Sequence, residues 1–343
     1  SPPNTSPPSS MRPSALGIRA SNYKNSSTVS QKAEDSTHDR IHREHREHRK
    51  RCNYCKHPTY PGVVEMIKAE NLAMQNTPAL FFALEDSLTH GLVGPNGVGK
   101  TTLLRMIAGQ LKSEGLKVFG ERPFDNQKIM DRIILMGIDN PLFDGWNVDK
   151  LFRIGKARWK TWNQERAEEL AAQFALPKKN YSGLSRGQKS AMGFIFAVAS
   201  GCELMLLDEP YLGLDVDKRQ RFLEVLREEQ GKRTIVVSTH HLDEIEGYLD
   251  TVLLLGEAPL SGPIESLVDC IVAVTGPAEQ VDRALGRLQL PVLARHSSVH
   301  AERVLIDARP NFAECVFDQA AEFGLRAQEV TLEEAVLALG GAQ

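Results

Sequence analysis

The 343-residue sequence contains no apolar run long enough to cross a bilayer as a helix. Its longest, Ala191 to Leu207, is interrupted by Ser200, Gly201 and Glu203. If membranes matter to this protein, another chain must do the spanning. Charge of one sign is also scarce: 41 Lys and Arg stand against 44 Asp and Glu, for a net charge of -3. That balance gives no global basic field to recruit nucleic acid. Cysteines number five, Cys52, Cys55, Cys202, Cys270 and Cys315, and no secretion signal is apparent. An odd, scattered set predicts a reducing compartment and no structural disulfide.

Aliphatic residues are nearly missing from residues 1 to 60, which run through Ser, Pro, Asn and Thr and predict a disordered tail. The charged run His38 to Arg51 offers no apolar face and reads as solvated. Cys52 and Cys55, with His57 near, have metal-ligand spacing, but no second Cys pair follows to complete the four ligands of a structural zinc. What remains has ordinary globular composition, 41% apolar overall, and the length suits two domains.

The chemistry begins at Gly94-Pro-Asn-Gly-Val-Gly-Lys-Thr-Thr102. Gly, four residues, then Gly-Lys-Thr, between the apolar end His90–Val93 and the helical spacing of Leu103–Ala108, is a phosphate-binding loop in its proper setting. Asn96, Gly97, Gly99, Lys100, Thr101 and Thr102 are its candidate nucleotide contacts. Converging backbone N–H groups and a helix N-terminus suit an anion, Lys100 adds a point charge, and Thr101 offers its hydroxyl to magnesium. Further on, Leu184-Ser-Arg-Gly-Gln188 precedes an apolar helix for which Ser185 is the N-cap candidate, a second helix start suited to an anion. A buried-strand run, Leu204–Leu207, then ends in Asp208 and Glu209. Paired carboxylates at a strand end fit phosphoryl transfer, with Asp208 holding magnesium and Glu209 polarising a water. The strand Thr234–Ser238 ends beside His240, where a doubly wound sheet places ligand-sensing groups.

In this order and spacing, the phosphate loop, Leu184–Gln188, Asp208-Glu209, the Asp215 loop and His240 resemble the ATP-binding cassette (ABC) family of transport ATPases over about residues 63–256. The resemblance implies an α/β P-loop NTPase of ABC type. It would comprise an ATPase domain at 61–256, with a parallel-rich sheet and a helical subdomain at about 140–200. A small α+β accessory domain, of ferredoxin-like kind, is expected at 257–343. The resemblance further implies ATP and Mg2+ as cofactors, sandwiched two at a time between two copies or paralogues. Ser185, Gly187 and Gln188 would face the nucleotide in trans, Glu209 would be the general base, and His240 would sense the γ-phosphate. Partners would be a second ATPase subunit and a polytopic membrane permease, at the inner face of the cell membrane. The wording around Asn140–Phe143 and Ser238–Glu246 is similar to that of bacterial export subunits.

Two departures stand out. Where the family carries a glutamine near magnesium, this chain reads Met136-Gly-Ile-Asp-Asn-Pro141, leaving Asp139 or Asn140 as substitutes. Around Met74–Thr77 no aromatic is present to stack on adenine. The alternative from another class is a soluble ATP switch acting on ribosomes or DNA. Against it stand one phosphate loop where ribosome-type members carry two, and only about 85 residues from Lys100 to Ser185 without sustained heptads. No Asn-Lys-x-Asp sequence supports a GTPase.

Overall fold

Three strands of this chain are buried along their whole length: β3 (Thr89–Val93), β6 (Leu204–Asp208) and β7 (Thr234–Thr239). Near-continuous apolar runs of that kind belong to parallel sheets covered on both faces. The computed structural model describes residues 64–75, 77–137, 142–240, 242–256, 259–299, 301–308 and 313–339. The expectations for the 1–60 tail, for Cys52, Cys55 and His57, and for Asp139 and Asn140 fall outside them.

The three strands sit in a six-stranded sheet with β5 (Ile133–Gly137), β8 (Thr251–Leu254) and β9 (Leu260–Pro263), in the order β5-β6-β7-β3-β8-β9. All neighbours are parallel except β9, which runs antiparallel to β8. The register is what matters for chemistry: Val93 lies opposite Thr239, and Asp208 lies between Gly137 and Ser238. Residues that follow these positions therefore emerge side by side at the carboxyl edge of the sheet, the usual ligand edge of open α/β sheets.

Beside it, β1 (Glu65–Met74), β2 (Thr77–Glu85) and β4 (Leu116–Val118) form a three-stranded antiparallel sheet. Its apolar face packs with that of α1 (Lys100–Ile107) in one core cluster containing Ile67, Leu72, Leu103 and Ile107. The intervening residues after β5 form α3 (Val148–Arg158), α4 (Gln164–Gln173) and α5 (Arg186–Ser200); the short helix α2 (Gln127–Met130) precedes β5. Asn147 and Asn163 cap α3 and α4 by accepting the backbone N–H of Lys150 and Arg166. Phe174, Phe194 and Phe222, the last from α6 (Val216–Glu229), fill the space behind α5. Trp159 and Trp162 meet Phe196 edge-on with ring centroids 5.7 and 4.9 Å apart, so these indoles are packing residues.

The C-terminal residues contribute α7 (Ile264–Val268), β10 (Ile271–Gly276), α8 (Ala278–Leu288), β11 (Val292–Ser297), β12 (Glu302–Asp307), α9 (Ala313–Glu322), β13 (Arg326–Glu329) and α10 (Leu332–Leu339). The four strands are antiparallel in the order β11-β12-β10-β13, the arrangement of a ferredoxin-like β-α-β-β-α-β unit. Leu332, Ala335, Val336 and Leu339 of α10 are buried in the same cluster as Val93, Leu242 and Leu254. The last helix thus packs behind the phosphate loop.

Candidate functional site

The phosphate loop leaves the end of β3 and enters α1 through Gly99, the helix N-cap, at φ 110°. A side chain there would be strained, and a Cβ would also lie 2.7 Å from Met74 Cε. Met74 therefore lays an apolar thioether against the loop, near the stretch where no aromatic occurs. Lys100 folds back over the loop, its Nζ donating to the carbonyls of Gly94 at 2.7 Å and Pro95 at 3.3 Å. Burial pushes the Lys100 ammonium down in pKa, while Glu209 and Asp208 nearby oppose the shift. A polyphosphate would restore the cation by the same charge logic.

Asp208 closes β6 with both carboxylate oxygens engaged. Oδ1 accepts from Ser238 Oγ at 2.6 Å and Oδ2 from Thr101 Oγ1 at 2.7 Å. Adjacent ligands of an octahedral cation with bonds of about 2.0–2.1 Å sit about 2.9 Å apart. The Thr101 and Asp208 oxygens are already spaced to share magnesium, which would neutralise phosphate charge when bound.

Glu209 turns away from the strand at φ 47°, in the left-handed region that costs a non-glycine residue strain. That turn separates its carboxylate from the neighbouring Asp208. Its backbone N–H donates to Ser238 Oγ at 3.0 Å, and its Oε1 lies 2.9 Å from Nδ1 of His240. Its Oε2 is buried without a hydrogen-bond partner. A buried carboxylate oxygen with no donor is an acceptor awaiting one, as a water-orienting base requires. Asp208 and Glu209 thus stand in different surroundings, one held by hydroxyls and one held by an imidazole with an open oxygen. Next to them Tyr211 hydrogen-bonds Thr239, the residue before His240, and burial raises its phenol pKa.

Ser185 is the N-cap of α5. It accepts from Gln188 N–H at 3.3 Å, and Gln188 Oε1 accepts Ser185 N–H at 2.9 Å, a reciprocal capping box. The Gln188 amide oxygen is thereby engaged by the cap. Gly187 is needed for another reason: a Cβ there would lie 2.2 Å from the Gly213 carbonyl oxygen. This pins the Leu184–Gln188 segment to the loop after Glu209. Lys100, Thr101, Asp208, Glu209 and His240 are assembled within the chain, with Asn96 exposed on the same loop. Among the described residues no hydrogen bond links Ser185, Gly187 or Gln188 to the phosphate loop. Thr102 is exposed on the outer side of the first turn of α1. Ser238 and Tyr211, which knit the two strand ends together, carry no sequence signal beyond their place next to the acids and the histidine.

Residues 79–212 match the ABC transporter family. The chain carries an ATP-binding cassette ATPase domain. ABC cassettes bind and hydrolyse ATP, and the phosphate loop, Asp208 and Glu209 lie in the matched region. The chain is 28% identical over 192 residues to the ABC transporter ATP-binding protein YtrB of Bacillus subtilis, covering 53% of this chain and 64% of that one. It is 29% identical over 196 residues to the zinc uptake system ATP-binding protein ZurA of Listeria innocua, covering 52% and 76%. Among solved structures, an ATP-binding subunit of an ABC transporter shares the fold with a TM-score of 0.52 and 22% identity, over 60% of this chain and 90% of that one. The relatives thus include an uptake protein, and likeness to them sets no direction of transport.

Proposed function

We propose that this chain is the ATP-hydrolysing subunit of a transporter, working as a pair around two Mg-ATP and driving export through a separate membrane-spanning partner. The phosphate loop of one copy holds the nucleotide, Thr101 and Asp208 hold magnesium, Glu209 orients the attacking water, and His240 steadies Glu209 and meets the terminal phosphate. Ser185 and Gly187 of the other copy close the site. One observation carries this reading: the catalytic groups gather at one sheet edge, while the Ser185 segment, equally suited to an anion, bonds to none of the phosphate loop. In the proposed pair that helix start would complete the site around the nucleotide of the other copy. The membrane partner is supported by the likeness to proteins described as ABC transporter ATP-binding proteins, YtrB among them.

Replacing Glu209 with Gln keeps size and removes the base. Steady-state hydrolysis should fall by about 10²–10⁴-fold with ATP binding retained and a dimer trapped. Turnover near wild type would overturn the catalytic assignment. Co-purification from membranes with a polytopic protein tests the partner, and recovery in a ribosome pellet instead would refute it.

A further inference from the structure

We propose that Glu333 of one copy forms an ion pair with Arg186 of a second copy, making the C-terminal helix part of the closed nucleotide site. The proposal rests on the two-copy reading above and identifies a contact that reading does not contain.

Glu333 is exposed on α10 and makes no hydrogen bond or ion pair among the described residues. It lines a cavity of about 230 Å³ together with Gly94, Asn96, His240 and Val336. Its position is fixed from behind. Thr331 Oγ1 accepts the Glu334 N–H and Glu334 Oε2 accepts the Thr331 N–H, each at 3.2 Å, and Arg303 of β12 donates to Glu334 Oε1 at 2.5 Å. With four other α10 residues in the ATPase core, Glu333 is held beside the phosphate loop by a rigid helix.

Arg186 is the first residue of α5, exposed, and likewise without an ion-pair partner among the described residues. A cation at a helix N-terminus opposes the helix dipole, and no acidic residue in the first turn compensates it. Its stem runs over Gly213, where a Cβ would lie 3.4 Å from Arg186 Cγ. The guanidinium therefore belongs to the same face as Ser185 and the loop after Glu209. One face carries an uncompensated cation beside the closing segment, and the other an uncompensated anion beside the nucleotide loop. When the closing segment of one copy covers the loop of another, these two charges come to the same rim. Two-fold symmetry then forms the pair twice.

The test uses the full chain carrying Glu209→Gln, with Mg-ATP, and reads the dimer dissociation constant by sedimentation. Glu333→Arg and Arg186→Glu should each weaken the dimer roughly tenfold, more at low salt than at high. Combining them should bring it back to within about threefold of the parent, the signature of a direct coupling. ATP binding to the protomer and circular dichroism check that each variant is folded. If either reversal misfolds, the same cycle is run with Glu333→Gln and Arg186→Gln, where the double loss must be smaller than the sum of the single ones. A reversal at Glu333 that leaves the dimer unchanged overturns the pair, as does a double variant showing the summed losses. Loss on reversing Arg186 alone would assign that residue to the nucleotide instead. A parent that stays monomeric with Mg-ATP removes the two-copy reading and the pair together, whereas a tight dimer indifferent to both reversals removes the pair only.

Discussion

Ser238→Ala tests whether one hydroxyl holds the ends of the two strands that carry Asp208, Glu209 and His240 in register. Ser238 is fully buried, donates to Asp208 Oδ1 at 2.6 Å and accepts the Glu209 N–H at 3.0 Å. A hydrogen bond to a charged group contributes about 1.5–3 kcal/mol and a neutral one about 0.5–1.5 kcal/mol, so losing both costs about 2–4.5 kcal/mol. Against a typical total of about 5–15 kcal/mol the variant still folds, and urea unfolding resolves the difference. Activity should fall as well, because the same hydroxyl sets the direction of Asp208 and the turn at Glu209. Val237→Ala serves as control: it removes buried apolar volume one residue earlier in the same strand without touching either acid. A loss of kcat in Ser238→Ala at a destabilisation that Val237→Ala tolerates is the expected outcome. A stability change under about 0.5 kcal/mol with unchanged kcat would refute the role.

Two further outcomes follow from buried contacts. His90 is buried in β3, its Nδ1 2.6 Å from Thr251 Oγ1 and its Nε2 2.9 Å from the Glu85 carbonyl, and burial lowers its pKa from 6.5 to about 4. The unfolded chain binds the extra proton first, so this contribution is complete above about pH 6.5 and drains toward pH 4, by about 3 kcal/mol in all. Urea midpoints at pH 7 and pH 4.5 should differ less in His90→Gln than in the parent, and equal differences would refute it. Gly187→Ala forces a methyl against the Gly213 carbonyl, so hydrolysis should drop while binding of a fluorescent ATP analogue to the protomer holds; full activity would show that the two loops separate freely.

How much of this was legible beforehand depends on sequence distance. The phosphate loop, the Ser185 cap and the Asp208-Glu209 pair are local patterns, because the chemistry of a turn or a helix start is set by residues within one turn of each other. The fold class followed from the same patterns in series. Ser238 was invisible because its role depends on β6 and β7 lying in parallel register, which places it opposite Asp208 although 30 residues separate them. Gln188, expected to face the nucleotide of another copy, lends its amide oxygen to the helix start, a use that the Ser185-x-x-Gln188 spacing itself announces as a capping box. The position of α10 was the least legible of all. It falls in the accessory domain expected at 257–343, and only the burial of Leu332, Ala335, Val336 and Leu339 among Val93, Leu242 and Leu254 brings it to the phosphate loop. The helix is tied through Arg303 to a strand of the C-terminal sheet and shares its buried face with residues that flank the phosphate loop, so close packing fixes the placement of the one against the other.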